Sequence, residues 1–190
     1  MTLAQAEPGA DAASGVLDTV NLPDGRTLTV RTVTEADVEG LDALFEGLSD
    51  DDRHYRFFNL YHPDRKFLER MTRVEAEGGY RVVAVVSGPP DALIAEAGYV
   101  MLPDGDGEFD LTIDAGWRGW LGPYLLDVLA ATATARGVPN LQADILLENR
   151  PMLALVRQRG YLTLERDGFS EVRVAIGGAE PARRNPSSSY

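Results

Sequence analysis

The 190-residue sequence contains no cysteine, which excludes disulfide bonds, thiolate nucleophiles and cysteine-ligated metal. Its two histidines, His54 and His62, are too isolated to predict metal binding or base chemistry. No apolar run reaches membrane-spanning length, and the N-terminus lacks the basic start and apolar stretch of a secretory signal. We therefore expect a cytoplasmic protein with no metal site and no membrane partner.

Basic residues are scarce relative to acidic ones, with 18 Lys and Arg against 30 Asp and Glu, and the formal net charge is −12. Nucleic-acid binding needs a basic surface that neutralises phosphates, so we expect no nucleic-acid partner. The acidic excess suits a cationic substrate, although solubility alone explains it equally well.

The chain is long enough for one domain with a substantial core. Residues 1–14 and 178–190 lack apolar periodicity and are expected to be disordered tails. Between them, strand patterns bounded by turn residues occupy eight segments: 16–21, 27–33, 80–86, 92–102, 107–114, 141–147, 161–165 and 169–176.

Helix starts are marked by capping residues. Thr34 with Asp37 and Ser49 with Asp52 have capping-box spacing, and Pro63 is expected to start a further helix. Another helix follows the strand ending at 114 and ends near Arg136-Gly137, and Asn149 is placed to cap the last one.

The stretch 107–126, GEFDLTIDAGWRGWLGPYLL, combines a strand, a turn and the start of a helix. Phe109, Leu111 and Ile113 alternate with polar residues, and leucines follow the turn at helical spacing. The first N–H groups of such a helix have no partner within it and point at whatever lies in front. The pattern predicts an anion site.

The predicted element order is hairpin, helices, three antiparallel strands, helix, strand, helix, hairpin. It indicates an α+β fold of three layers, with a mixed, mostly antiparallel sheet of about seven strands flanked by helices. The helix between the third antiparallel strand and the next strand makes a right-handed crossover and therefore a parallel pair. A ligand is expected at the end of that pair.

The element order, the stretch EFDLTIDAGWRGWLGPYLL and the later ENRPMLALVRQRGY resemble the GNAT superfamily of acyl-CoA-dependent N-acyltransferases. RTLTVRTVTEAD and LFEGLSDDDRHYRFF are similar to its bacterial protein-lysine-acetylating branch. The resemblance implies a GNAT-like domain over 15–177 in which the parallel pair splits to admit acyl-CoA. It also implies acetyl transfer from acetyl-CoA to a primary amine, on a protein lysine or a small molecule, by a monomer or homodimer.

The same resemblance implies the cofactor-binding residues. In the family, the strand before the turn pairs with pantetheine and the turn binds the pyrophosphate through its amides, while a polar residue after the next strand often contacts the cofactor. The matching positions here are Leu111, Thr112 and Ile113 on the strand, Arg118, Gly119, Trp120, Leu121, Gly122 and Tyr124 in and after the turn, and Asn149.

The turn departs from the family pattern, which usually reads Trp-Gln-Gly-Arg-Gly-Leu-Gly-Ser. This chain has WRGWLGPY, which is one residue shorter and lacks the middle glycine. If Gly122 caps the helix, Pro123 starts it cleanly but removes one anion-facing N–H. A second hypothesis is therefore a catalytically weak or inactive GNAT-fold module that binds or regulates.

Glu108 matches the glutamate that often acts as base in the lysine-acetylating branch, and Asp110 lies two residues on, on the same face of the strand. Two neighbouring carboxylates raise one pKa, which favours a base near neutral pH. The alternative is that both belong to a solvated strand face. The family's tyrosine acid is replaced by Val156, so the acid must come from elsewhere or from water.

Two further groups of side chains have open interpretations. Arg118, Arg136 and Arg150 form either a cationic rim for CoA phosphates or ordinary surface and helix-end charges. An aromatic cluster either lines an acceptor cleft or belongs to the core: Tyr55, Phe57, Phe58 and Tyr61.

Overall fold

A computed structural model describes residues 15–166 and 169–175 of the chain. The expected tails at 1–14 and 178–190 lie outside the described residues. The described residues contain eight strands: β1 Val16–Asn21, β2 Thr27–Thr32, β3 Tyr80–Val86, β4 Ala92–Met101, β5 Gly107–Ile113, β6 Asn140–Leu146, β7 Leu162–Arg166 and β8 Phe169–Ala175. Five α-helices accompany them: α1 Val38–Glu46, α2 Asp50–Phe57, α3 Arg65–Thr72, α4 Leu121–Ala135 and α5 Arg150–Gln158.

The helix starts follow from their capping residues. The Thr34–Asp37 capping box forms at the turn before α1, as expected. Ser49 accepts a hydrogen bond from the N–H of Asp52 at α2, and Asn149 caps α5 in the same way. Pro63 does not start α3, because the helix begins two residues later, where the Asp64 side chain accepts from the N–H of Phe67 at 2.8 Å.

The strands form one sheet in the order β1-β2-β3-β4-β5-β6-β8-β7. Every neighbouring pair is antiparallel except β5 and β6, which are parallel. The sheet has eight strands among the described residues, one more than the expected count of about seven. The three-layer α+β architecture with one parallel pair is confirmed.

The two faces of the sheet have separate apolar cores. One core packs α4 and α5 on the sheet through residues such as Leu125, Leu129 and Val156. The other packs α1 and α3 on the opposite face through Leu41 and Leu68 among others. Since Phe109 faces the α4 side, the alternate residues of β5 face the α1–α3 layer.

The parallel pair is joined at one end only. Gly107 pairs with Leu141 and Glu108 with Gln142, and the two strands have no further pairing although β5 continues to Ile113. A side-chain hydrogen bond from Asn140 to Asp106, at 2.8 Å, reinforces this joined end. The sheet therefore opens between β5 and β6 toward their carboxyl ends.

Candidate active site

A cavity of about 830 Å³ occupies the opening between β5 and β6. Residues of α2 and α3 line it on one side of the sheet, and the start of α4 and residues of α5 line it on the other. Seven residues that sequence reasoning placed in the cofactor site lie in its wall: Leu111, Thr112, Ile113, Arg118, Gly119, Gly122 and Asn149. Glu108 and Asp110 also line it, so the opening brings both groups of candidates together.

Glu108 lies at the last paired position before the strands separate, and its side chain remains accessible to solvent. The cavity wall removes part of the water around its carboxyl group, and Asp110 and Asp144 add negative charge nearby. These effects raise the pKa of Glu108, and the positive charge of Arg56 opposes them. A carboxyl group with a raised pKa beside a cavity is suited to accept and return a proton.

Asp110 has the opposite electrostatic environment. Burial raises its pKa, but the charges of Arg56 and Arg81 outweigh burial and hold the pKa of Asp110 below its ordinary value. Arg81 donates to both carboxylate oxygens, at 2.7 and 2.9 Å, and Arg56 lies 3.0 Å from one of them. Asp110 is therefore a fixed anion at the cavity wall.

Glu96 completes this charged cluster, and sequence reasoning missed it together with the two arginines. Its side chain has no solvent exposure, is ion-paired with Arg81 and accepts from the Thr112 hydroxyl at 2.7 Å. Arg56 reaches the same place from α2 and donates to the Thr112 hydroxyl at 3.1 Å. The sequence did contain a signal for this pair. Glu96 is the one acid in the apolar run of β4 and Arg81 is the one arginine in that of β3, and a charged side chain buried in a strand needs a partner of opposite charge.

Gly98 makes the contact between Arg81 and Asp110 possible. In the sheet register Arg81 of β3 lies opposite Gly98 of β4, and Gly98 lies opposite Asp110 of β5. A Cβ atom on Gly98 would lie 2.8 Å from the guanidinium carbon of Arg81. Because Gly98 has no side chain, the guanidinium of Arg81 can cross β4 at this position.

The turn before α4 differs from the one considered for the sequence. The helix begins at Leu121 with Trp120 as its N-cap, and Gly119 has a φ of +106°, which favours glycine. The first intrahelical bond runs from the N–H of Tyr124 to the carbonyl of Trp120, at 3.3 Å. The N–H groups of Leu121 and Gly122 therefore have no acceptor within the helix, and Pro123 removes only the third.

Arg118 connects this turn to α2. Its guanidinium forms an ion pair with Asp52 at 2.7 Å and a weak hydrogen bond to the carbonyl of Ile113 at 3.4 Å. Both Arg118 and Asp52 line the cavity. The cation that the resemblance assigns to the cofactor turn is thus already partnered by a carboxylate of the opposite layer.

Three turn candidates lie away from the cavity wall. The Leu121 side chain is fully buried in the core, and Trp120 is exposed, with its ring tilted against that of Tyr124. Burial, together with a hydrogen bond with Asp18, raises the pKa of Tyr124. These residues can serve a ligand only through their backbone groups.

The remaining candidates divide between core and cavity. Phe57 packs edge-on against Phe45 at 5.5 Å between ring centroids, so it belongs to the core on the α1 side. Tyr55 and Phe58 line the cavity. Arg136 lies elsewhere, paired with Glu75 at 2.6 Å, and Val156 is fully buried.

The part of the chain that the structure describes contains no group of three or more acidic or histidine side chains arranged to hold a metal ion. Among these same residues, no helix has the length and apolar character needed to cross a membrane.

An open parallel pair, a cavity through the sheet and a helix start beside it are the features of the GNAT acyltransferase fold. The structure matches the GNAT domain of PAT from S. lividans with a TM-score of 0.73 and 26% identity over 84% of this chain and 96% of that chain. It also matches yncA from Salmonella typhimurium, solved with acetyl-CoA as its cofactor, with a TM-score of 0.66 and 17% identity over 80% of this chain and 95% of that one. A GNAT superfamily phosphinothricin acetyltransferase from Sinorhizobium meliloti, in complex with AcCoA, matches with a TM-score of 0.65 and 17% identity over 84% and 96% of the two chains. No protein-family model matches the sequence.

Proposed function

We propose that the protein is an N-acetyltransferase that moves the acetyl group of acetyl-CoA to a primary amine. A single observation carries the proposal. The carboxyl group of raised pKa, Glu108, lies at the point where β5 and β6 separate and leave an open strand edge. The resemblance to the lysine-acetylating branch favours a protein lysine as the acceptor.

The cofactor is proposed to lie along that open edge. The backbone of Leu111, Thr112 and Ile113 extends beyond the last paired residues, so half of its polar groups face the gap and can pair with the amides of pantetheine. The free N–H groups at the start of α4 face the same cavity and suit the pyrophosphate. Asn149 uses its side-chain oxygen to cap α5, so its contribution is to position that helix.

The reaction needs one base and one route for the leaving group. Glu108 accepts a proton from the acceptor ammonium, and the neutral amine then attacks the thioester carbonyl carbon. A C–N bond forms while the carbonyl oxygen takes up negative charge. The positively charged nitrogen of this intermediate then loses its second proton to water, and the C–S bond breaks to release the CoA thiolate. Because Val156 is buried and carries no acid, water supplies the proton that the thiolate takes up.

Titration calorimetry with acetyl-CoA tests the cofactor assignment. We expect binding, and no detectable heat at millimolar ligand would rule out the proposal. Transfer is then measured on a lysine peptide by mass spectrometry. The chain has a single lysine, Lys66, so a K66R background removes self-acetylation of side chains from the assay.

Glu108→Gln is the first variant to measure. It should lower kcat/KM by about 10²-fold or more, while the affinity for acetyl-CoA stays close to that of the wild type. Asp51→Asn is a matched control, because Asp51 is exposed on α2 and is not part of the cavity wall. An unchanged rate in Glu108→Gln would remove Glu108 from the mechanism.

Three observations favour the second candidate, a module that binds without turnover. The turn is short, one anion-facing N–H is missing at Pro123, and Arg118 is paired with Asp52. Such a protein would bind acetyl-CoA or CoA and give no transfer to any amine tested. Calorimetry combined with the transfer assay separates the two candidates.

A further inference from the structure

The face of β5 that carries Glu108 also carries Asp110, because residues two apart in a strand point to the same side. Asp110 cannot move away from this position. Arg81 donates hydrogen bonds to both carboxylate oxygens of Asp110, and Arg56 of α2 forms an ion pair with one of them. Arg81 is itself only 2% exposed and is anchored to Glu96, so the whole assembly is fixed by buried contacts.

Resting on the proposed function, we propose that Asp110 is a positioning residue rather than a base, and that its negative charge, fixed by Arg81 through the gap at Gly98, sets the proton affinity of Glu108. The contact is geometrically demanding. Arg81 must pass over a whole strand to reach its partner, and only a glycine at position 98 leaves the space. Arg81, which is buried, and Arg56, which is half-buried, hold Asp110 ionised over the range in which Glu108 exchanges its proton.

The charged groups around Glu108 come from three elements. Asp110 lies on its own strand, Asp144 on β6 and Arg56 on α2. The two carboxylates raise the pKa of Glu108 and Arg56 lowers it. Glu96 lies on the neighbouring strand β4 and Arg81 lies one strand beyond it, on β3, and both act through Asp110.

These opposing contributions predict variants with opposite effects. Asp110→Asn removes a negative charge and leaves Arg56 less compensated, so the pKa of Glu108 should fall. Arg56→Gln removes the opposing cation, so the pKa of Glu108 should rise. A general loss of structure would not move the same group in opposite directions, and each shift should appear in the acid limb of the pH profile of kcat/KM.

Carbon-13 NMR of the full chain, labelled at glutamate carboxyl groups, measures this pKa without any assay of activity. Glu108→Gln identifies the signal. Asp144→Asn provides a variant at an exposed position that should fold normally, and it should lower the pKa of Glu108 in the same direction as Asp110→Asn. Circular dichroism melting checks that each variant is folded.

The inference is overturned if the Glu108 titration is the same in the wild type and in folded Asp110→Asn, or if Asp110→Asn and Arg56→Gln shift it in the same direction. If Asp110→Asn does not fold, Arg56→Gln and Asp144→Asn provide the test. The inference is then overturned if the pKa of Glu108 in both variants equals that in the wild type. The expected shifts together with no acetyl transfer by the wild type would overturn the proposed function and leave the electrostatic coupling intact.

Discussion

At the scale of single residues, the ion pair between Arg118 and Asp52 affects the affinity of the turn before α4 for an anion. It lies in the cavity wall and is held by Asp52 at 2.7 Å. A pyrophosphate at the start of α4 would compete with this carboxylate for the same guanidinium. The Asp52 charge therefore opposes cofactor binding.

Asp52→Asn should strengthen acetyl-CoA binding, because it releases Arg118 and removes a negative charge from the cavity wall. Exposed ion pairs contribute at most about 1 kcal/mol, so the gain should reach about fivefold in Kd. Asp51→Asn makes the same charge change one residue away without touching Arg118, and it should leave Kd near the wild-type value. Calorimetry measures both, and equal affinities in the two variants would show that the pair does not compete.

Single residues also show why part of the site escaped prediction. Glu108 was predicted from the motif that surrounds it, and it lines the cavity. The Arg56 contact with Thr112 spans 56 positions, and no local pattern specifies which strand a polar helix will touch. The crossing of β4 by Arg81 required both the strand order and the register, and a sequence with no structure provides neither.

At the scale of elements, α1 is fixed to the sheet by Asp37. Its carboxylate accepts from Arg31 of β2 at 2.6 and 2.7 Å and from the N–H of Thr34 at 2.7 Å. Burial raises the pKa of Asp37, but the hydrogen bonds from Arg31 and Thr34 outweigh burial and hold it below the ordinary value of 3.8. The stabilisation is therefore complete above that value and is lost as the pH falls through the lower pKa of the folded state.

Asp37→Asn should lower the free energy of unfolding at neutral pH by about 2 kcal/mol, because a charge-assisted pair is lost at a position that is only 7% exposed. It should also flatten the decline of stability in acid, since the variant has no carboxylate to protonate there. Urea unfolding across the acid range measures both effects. Asp24→Asn is the control, because its exposed pair with Arg26 carries the same charges, and an acid decline as steep in Asp37→Asn as in the wild type would contradict the assignment.

Most elements could be predicted because their signals are local. The capping residues of α1, α2 and α5 lie within three positions of the groups they satisfy, and their helices began where the residues indicated. Gly122 and Pro123 were considered as a possible cap and first helical residue of α4, whereas the helix begins at Leu121, with Trp120 as its N-cap, after the positive φ of Gly119.

At the scale of the whole molecule, the net charge of −12 acts differently on the two proposed substrates. Acetyl-CoA is a polyanion that the protein repels at long range, whereas a lysine peptide with further basic residues is attracted. Salt screens both effects, since the Debye length falls from about 14 Å at about 0.05 M to about 4 Å at about 0.5 M salt.

Raising the salt concentration over this range should therefore raise KM for a basic lysine peptide and lower, or leave unchanged, KM for acetyl-CoA. The matched control is the same peptide with its flanking basic residues replaced by serine, for which KM should change little. Steady-state kinetics at both salt concentrations provide the measurement. If KM for the basic peptide and KM for acetyl-CoA changed in the same direction with salt, the overall charge would serve solubility alone.

β5 and β6 are paired at one end only, so part of the sheet has backbone groups without a strand partner. On the edge of β5 that faces β6, the backbone groups beyond Glu108 face a gap, whereas the opposite edge is paired with β4. A ligand with amides spaced along its length could occupy the gap as a surrogate strand and extend the ladder between two strands that the chain leaves apart. In that state the ligand would supply the hydrogen-bond partners that neither strand provides. The sheet would then be continuous only in the ligand-bound protein.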